Sequence, residues 1–297
     1  MNETAVAFES RRFRVVQFEF PWALGPEPGR YTIREHLGEA PAHVLVLRLL
    51  GASERRLLPR RRARTRDVDA PPDPPPEPVV TSRATLVDTA VLDGYEAASS
   101  WLSYANLDAL ADDALALLNR VLYAHRVASA DPNVREVARE QALVVRVGFG
   151  DGERVAEGRW DRARELPRAA ARSLRPRAAA LRPQERLAAL LAGRDAALAC
   201  EELTLRVRLD VDAGRWREAA LGLRAAFDAA LAELEPWRDA AGIAARLEEL
   251  RARHRDVSAV AEAALQAGLD DAQIEAIVSA LGRVEAALRA RVVGESL

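Results

Sequence analysis

The sequence predicts a small α+β domain, mainly an antiparallel sheet with helices, followed by an all-α helical bundle, and a chain that is mostly helical overall. Three observations carry this reading. Apolar residues alternate with period 2 in segments up to Leu92, as on a half-buried strand. From Gln184 onward they recur at i, i+3, i+4 and i+7, the stripe of a helix with one buried face. Between Leu166 and Pro183 the composition contracts to little more than arginine, alanine, leucine and proline, which marks a joint. The expected organisation is residues 1–166 as the α+β domain, 167–183 as an Arg/Pro linker, and 184–297 as the bundle.

In chain order, Arg12 to Phe20 is a strand, with Val16, Phe18 and Phe20 on one face and Gln17 and Glu19 on the other. A turn-rich PWALGPEPG leads to a short strand, Arg30 to Arg34. Val44 to Leu50 follows, apolar almost throughout and therefore expected to be central. The loop at 55–78 opens with seven arginines and no acid between Arg55 and Arg66, then places six prolines in the nine residues Ala70 to Pro78. Such a segment joins no helix and no sheet interior. Thr81 to Leu92 resumes as a strand. Asp93 is placed to cap a helix running through Gly94, Tyr95, Ala98, Trp101 and Leu102. A longer helix, about Leu107 to Val127, turns Leu107, Leu110, Ala114, Leu117, Val121 and Leu122 to the core. Asp108, Asp112 and Asp113 lie in its first turns, where the helix dipole favours them. Asp131-Pro132 is expected to begin a short helix. Leu143 to Phe149 then alternates as a strand, and Gly150-Asp151-Gly152 predicts a tight hairpin whose return strand lies before Trp160. The glycines do not make a phosphate loop, because their spacing is G-x-G-x-G, no helix is expected after them, and no Lys-Ser/Thr pair follows.

In the second half Gln184 to Ala192 is a short helix. Leu203 to Asp212 alternates with period 2, yet wound as a helix it has one apolar face from Cys200, Leu203, Val207 and Val211 and another from Leu198, Leu205 and Leu209. The alanine-rich lead-in favours the helix, packed on both sides. Asp212 to Leu234 carries the most regular stripe in the chain, Trp216, Ala219, Ala220, Leu223, Ala226, Phe227, Ala230, Leu231 and Leu234, bounded by Gly214 and Glu235-Pro236. Burial of each large member contributes about 1.5–3 kcal/mol. On DAGRWREAALGLRAAFDAAL, with Gly214, Ala219, Ala220 and Ala230, residues Ala196 to Leu234 resemble one tetratricopeptide-type helix pair. The pattern has no second copy at a 34-residue interval, so the expectation is a plain αα-hairpin, and the resemblance would imply peptide binding only in a longer array. Ile243, Leu247 and Leu250 mark a further helix, and Val257, Val260, Ala264 and Leu265 another. Ile274 to Leu288 marks a last one, opened by Asp270 or Asp271 after Gly268.

Composition narrows function more than it names it. The net charge of −2 exerts no general pull on nucleic acid or acidic lipid, so any anion site must be local. Every basic residue is arginine, as a GC-rich genome would produce. One cysteine, Cys200, excludes an intrachain disulfide; no secretory h-region or 18-residue apolar run occurs, and a cytoplasmic protein is expected. His36, His43, His125 and His254 show no paired metal-ligand spacing, and Asp210 and Asp212 diverge on a helix. Cys200 reads as a small buried hydrophobe. No nucleophile elbow, HExxH or Walker motif occurs. The expectation is therefore a protein without catalytic residues, cofactor or metal, an interaction or scaffold protein that uses helical surfaces for self-association or for a protein partner. The alternative is binding of RNA or DNA through Arg55, Arg56, Arg60, Arg61, Arg62, Arg64 and Arg66 together with Arg168, Arg172, Arg175 and Arg177, without membrane insertion.

Overall fold

The period-2 segments assemble into one sheet. In the computed structural model, which describes residues 11–36, 38–51, 79–168 and 182–294, the strands are β1 (Arg12–Phe20), β2 (Gly29–Ile33), β3 (His43–Leu50), β4 (Thr81–Leu92), β5 (Val144–Gly150) and β6 (Arg162–Glu165). Their order is β2-β3-β4-β1-β5-β6, and every neighbouring pair is antiparallel. The apolar run of β3 lies inside the sheet, with Val44 through Leu47 buried. The chain divides into two compact units, Met1–Arg172 and Ser173–Leu297.

In the first unit, helices α1 (Gly94–Tyr104) and α2 (Leu107–Ser129) are joined by a two-residue elbow. The Asn106 side chain accepts a hydrogen bond from the Ala109 amide at 3.2 Å and so caps α2. Asp93 occupies the equivalent place before α1, but its side chain makes no capping bond, contrary to the sequence expectation. Ala111, Ala114, Leu118 and Leu122 of α2 meet Val16, Phe18, Phe20, Leu45 and Leu86 of the sheet. Leu107, Leu110, Leu117 and Val121 are only partly buried at the margin of that contact, so the deepest line is displaced from the expected stripe.

The other face of the sheet is not left to water. Gln17 is 1% exposed and donates to Thr85 Oγ1 at 2.9 Å. Its neighbours Val15, Val44, Val46 and Val87 pack under Val155 and Ala156. Those two belong to a 3-10 helix, Gly152–Glu157, which stands where a tight hairpin and return strand were expected. The return strand is β6, later in the chain. Gly148 permits this arrangement, because a Cβ there would collide with the Arg162 carbonyl and lie 2.7 Å from Ala163 Cα. Gly148→Ala is therefore expected to push β6 away and cost about 1–3 kcal/mol of stability, read as a lowered urea midpoint. The helix expected at Asp131-Pro132 is also absent. Asp131 Oδ1 instead accepts from the Asn133 amide at 2.9 Å, closing an Asx turn, and Asn119 binds both backbone groups of Val137.

The second unit comprises α3 (Pro183–Leu191), α4 (Ala199–Asp212), α5 (Trp216–Glu233), α6 (Ile243–Gln266) and α7 (Asp271–Gly294). The ambiguous segment is thus helical, and Gly214, at φ +68°, makes the turn between α4 and α5. α5 buries Ala219, Ala220, Leu223, Ala226, Phe227 and Ala230 as its spacing predicts, while Trp216 is only partly buried. Two corrections apply here. α6 is a single helix where two were expected. α4 is packed on one side only, burying Cys200, Thr204, Val207 and Val211 and leaving Leu205 and Leu209 at 63% and 59% exposure. α7 begins with a reciprocal cap, Asp270 Oδ1 accepting from the Gln273 amide at 2.8 Å and Gln273 Oε1 from the Asp270 amide at 3.0 Å. Among the described residues no helix is long and apolar enough to cross a membrane.

Candidate functional site

The arginines singled out by the sequence lie mostly outside the described residues: Arg55, Arg56, Arg60, Arg61, Arg62, Arg64, Arg66, Arg172, Arg175 and Arg177. Arg168 is described and exposed. What the sheet does with its own arginines is nevertheless informative. Strand register sets Arg83 opposite Glu19 and Arg146 opposite Gln17. Arg83 donates to Glu19 Oε1 at 3.0 and 2.8 Å, Arg146 lies 3.4 Å from the same oxygen and 3.0 Å from Glu165, and Arg48 reaches Glu157 at 3.0 Å. Each guanidinium on this face has a carboxylate. It is a balanced cross-strand network in which Arg48, Arg83 and Arg146 are each neutralised by a carboxylate.

The second unit encloses a denser cluster. Arg291, 2% exposed, donates to Asp195 at 2.8 Å and to Glu201 at 3.3 Å, and its guanidinium lies 4.5 Å from the Trp237 ring centroid. Arg186 bridges the same two acids at 3.1 and 2.7 Å. Glu233, from the last turn of α5, accepts from the Ala199 and Cys200 amides at 3.2 and 2.9 Å and so closes the N-terminus of α4. Burial acts to raise the Asp195 carboxyl, but hydrogen bonds from Arg186, the Ala196 amide and Arg291 overcome it and hold the group below its ordinary value. Glu233 is likewise lowered against the effect of burial by its bonds at Cys200 and Ala199. These charges join α3, α4, α5 and α7 to one another.

Within this cluster Cys200 is fully buried, and burial followed by the nearby Glu233 pushes its thiol up to about 12. A thiolate nucleophile needs the opposite environment. The folded protein is therefore expected to resist a thiol-specific disulfide reagent at pH 8 and to react fully once denatured; rapid labelling of the native protein would contradict this burial. Asp210 and Asp212 do not converge, since Asp210 pairs with Arg215 at 2.8 Å and Asp212 with Arg208 at 3.7 Å. Glu35, His36 and Glu39 bring three donors within 4.8 Å of one another on the β2–β3 loop, all of them exposed. Only one of the three is a histidine, so no paired-histidine spacing in the sequence marks this group.

Two concavities stand out among the described residues. One, of about 80 Å³ among Leu223, Val257, Val260 and Ile277 of α5, α6 and α7, is well below the roughly 300–1,000 Å³ of small-molecule sites. The other is an open groove of about 470 Å³ at the α1–α2 elbow, lined by Trp101, Tyr104, Asn106, Ala109, Leu110 and Asp113. In the sequence Trp101 falls on the core stripe and Asp113 in the dipole-favoured first turns of α2, so neither marks a groove. The available signal was Tyr104, an aromatic residue two positions beyond Leu102 and hence about 200° around the helix from the buried side. Comparison with protein families, with curated proteins and with solved structures gave no match.

Proposed function

We propose that this is a non-catalytic, cytoplasmic interaction protein that self-associates through the helical surfaces of its second unit. The observation that carries the reading is the outer face of α4, where Leu205 and Leu209 stand one turn apart and more than half exposed. On α3 the same spacing recurs in Leu187 and Leu191, at 48% and 81%. Leucines at i and i+4 form a ridge that gains free energy when a second helix covers it. The wild-type protein is expected to show a mass above that of the monomer by light scattering, and Leu205→Glu/Leu209→Glu to return it to the monomer with unchanged helicity. A wild-type monomer across the accessible concentration range would overturn this reading.

A second reading, nucleic-acid binding, is favoured by one contrast. Arg48, Arg83 and Arg146, on the Gln17 face of the sheet, are each matched by a carboxylate, whereas Arg55 to Arg66 contains none. If its seven arginines met phosphates, log K would fall against log salt with a slope of about −6. A slope near zero, with no nucleic acid co-purifying at low salt, would remove it.

A further inference from the structure

We propose that the groove at the α1–α2 elbow is a docking site for an arginine-bearing segment of a partner protein. The inference rests on the interaction-protein reading but uses a different surface, on the first unit. Its first support is Tyr104, which is 88% exposed and has no ring contact or hydrogen bond among the described residues. An exposed tyrosine ring offers its face to a cation, and a planar guanidinium stacks there better than an ammonium does.

Charge provides the second support. The only charge on α1 is Glu96, and the first seven residues of α2, Leu107 to Asp113, hold three aspartates and no base. Arg139 pairs with Asp108 and lies 3.6 Å from Asp112. Asp113, exposed and lining the groove, has no ion-pair partner among the described residues. Two further arginines lie close: Arg162 donates to Ser99 of α1 at 2.8 Å, and Arg14, paired with Asp88 at 3.1 Å, lies 5.7 Å from the Trp101 ring centroid. With Glu96, Asp108, Asp112 and Asp113 against Arg139 and Arg162 the local excess is still negative and disfavours phosphate, so the complementary ligand is a basic polypeptide and not a nucleic acid. Shape agrees with this choice. Ala109 and Leu110 add apolar lining for the methylene stem of an arginine, and Tyr104 and Asp113 of the same groove offer its guanidinium a ring face and a carboxylate.

The test is fluorescence anisotropy of a dye-labelled, capped peptide carrying two arginines spaced by alanine, titrated with the full chain. Saturable binding is expected, weakened about fivefold by Tyr104→Ala and about threefold by Asp113→Asn. It should be lost when citrulline replaces arginine, and unchanged by the surface control Glu202→Gln. Both groove positions are exposed, so circular dichroism should report wild-type folding for each variant. Equal binding of the citrulline peptide, or wild-type affinity in both variants, overturns the proposal, as does a failure to saturate. Leu205→Glu/Leu209→Glu should bind the peptide as wild type does, which separates failure of the groove from failure of self-association.

Discussion

Phe227→Ala is expected to lower the unfolding free energy of the second unit by about 3–5 kcal/mol. The ring is fully buried on α5 and belongs to the cluster that includes Leu223, Leu247, Leu250 and Leu281. Truncation to alanine removes the ring's transfer free energy and leaves a cavity whose walls are held by three helices, so they close only partly. Urea unfolding followed by far-ultraviolet circular dichroism measures the loss. Trp216 divides the two roles that its place on the same sequence stripe would equate. It is only partly buried at the first position of α5, and Trp216→Ala should cost clearly less than Phe227→Ala. Equal costs would contradict the packing described.

Arg291→Met should cost a comparable amount, about 3–5 kcal/mol, because one partner of a buried ion pair is removed while the others stay. Asp195 and Glu201 would keep Arg186, but they lose the cation that lies against Trp237. Arg291→Lys should restore part of the loss and not all of it, since an ammonium cannot fork between two carboxylates as a guanidinium does. The pH dependence follows from the direction of the carboxyl shifts. Asp195 and Glu233 are lowered in the folded protein, so the stability they contribute is present above their ordinary, unfolded values. It is lost as pH falls through the depressed folded values. Wild-type protein should thus lose stability on the acid side of the ordinary carboxylate range, and Arg291→Met, with these carboxyls nearer their ordinary values, should lose less of it on acidification and finish losing it at higher pH. Identical acid limbs for the two proteins would show that Arg291 does not hold these carboxylates.

Strands and helices were largely legible because their signals are local. β1 and β4 follow the alternation that predicts them, and α5 follows its stripe. The errors have local causes too. Leu250 and Val257 were expected in two separate helices, yet they are seven residues apart, on one helical stripe, with no glycine or proline between them, and α6 runs through. At Asp131-Pro132 the side-chain turn competed with the helix and prevailed. The ion cluster was not legible, since Asp195 and Arg291 are 96 residues apart and neither carries a local mark of its partner. The elbow groove was half legible, through the position of Tyr104 opposite Leu102.

By itself the sequence determined the secondary-structure periods, the order of a sheet-forming region and a helical one, and most of the α5 stripe, but not the deepest line of α2. Periodicity reports which faces of an element are apolar or polar, because it is written in neighbouring residues. Whether a second face is covered depends on chain from elsewhere, and only the tertiary structure decided it. Gln17 is sealed by Val155 and Ala156, which lie far along the chain, while Leu205 and Leu209, apolar enough to be buried, meet no such cover among the described residues and remain exposed.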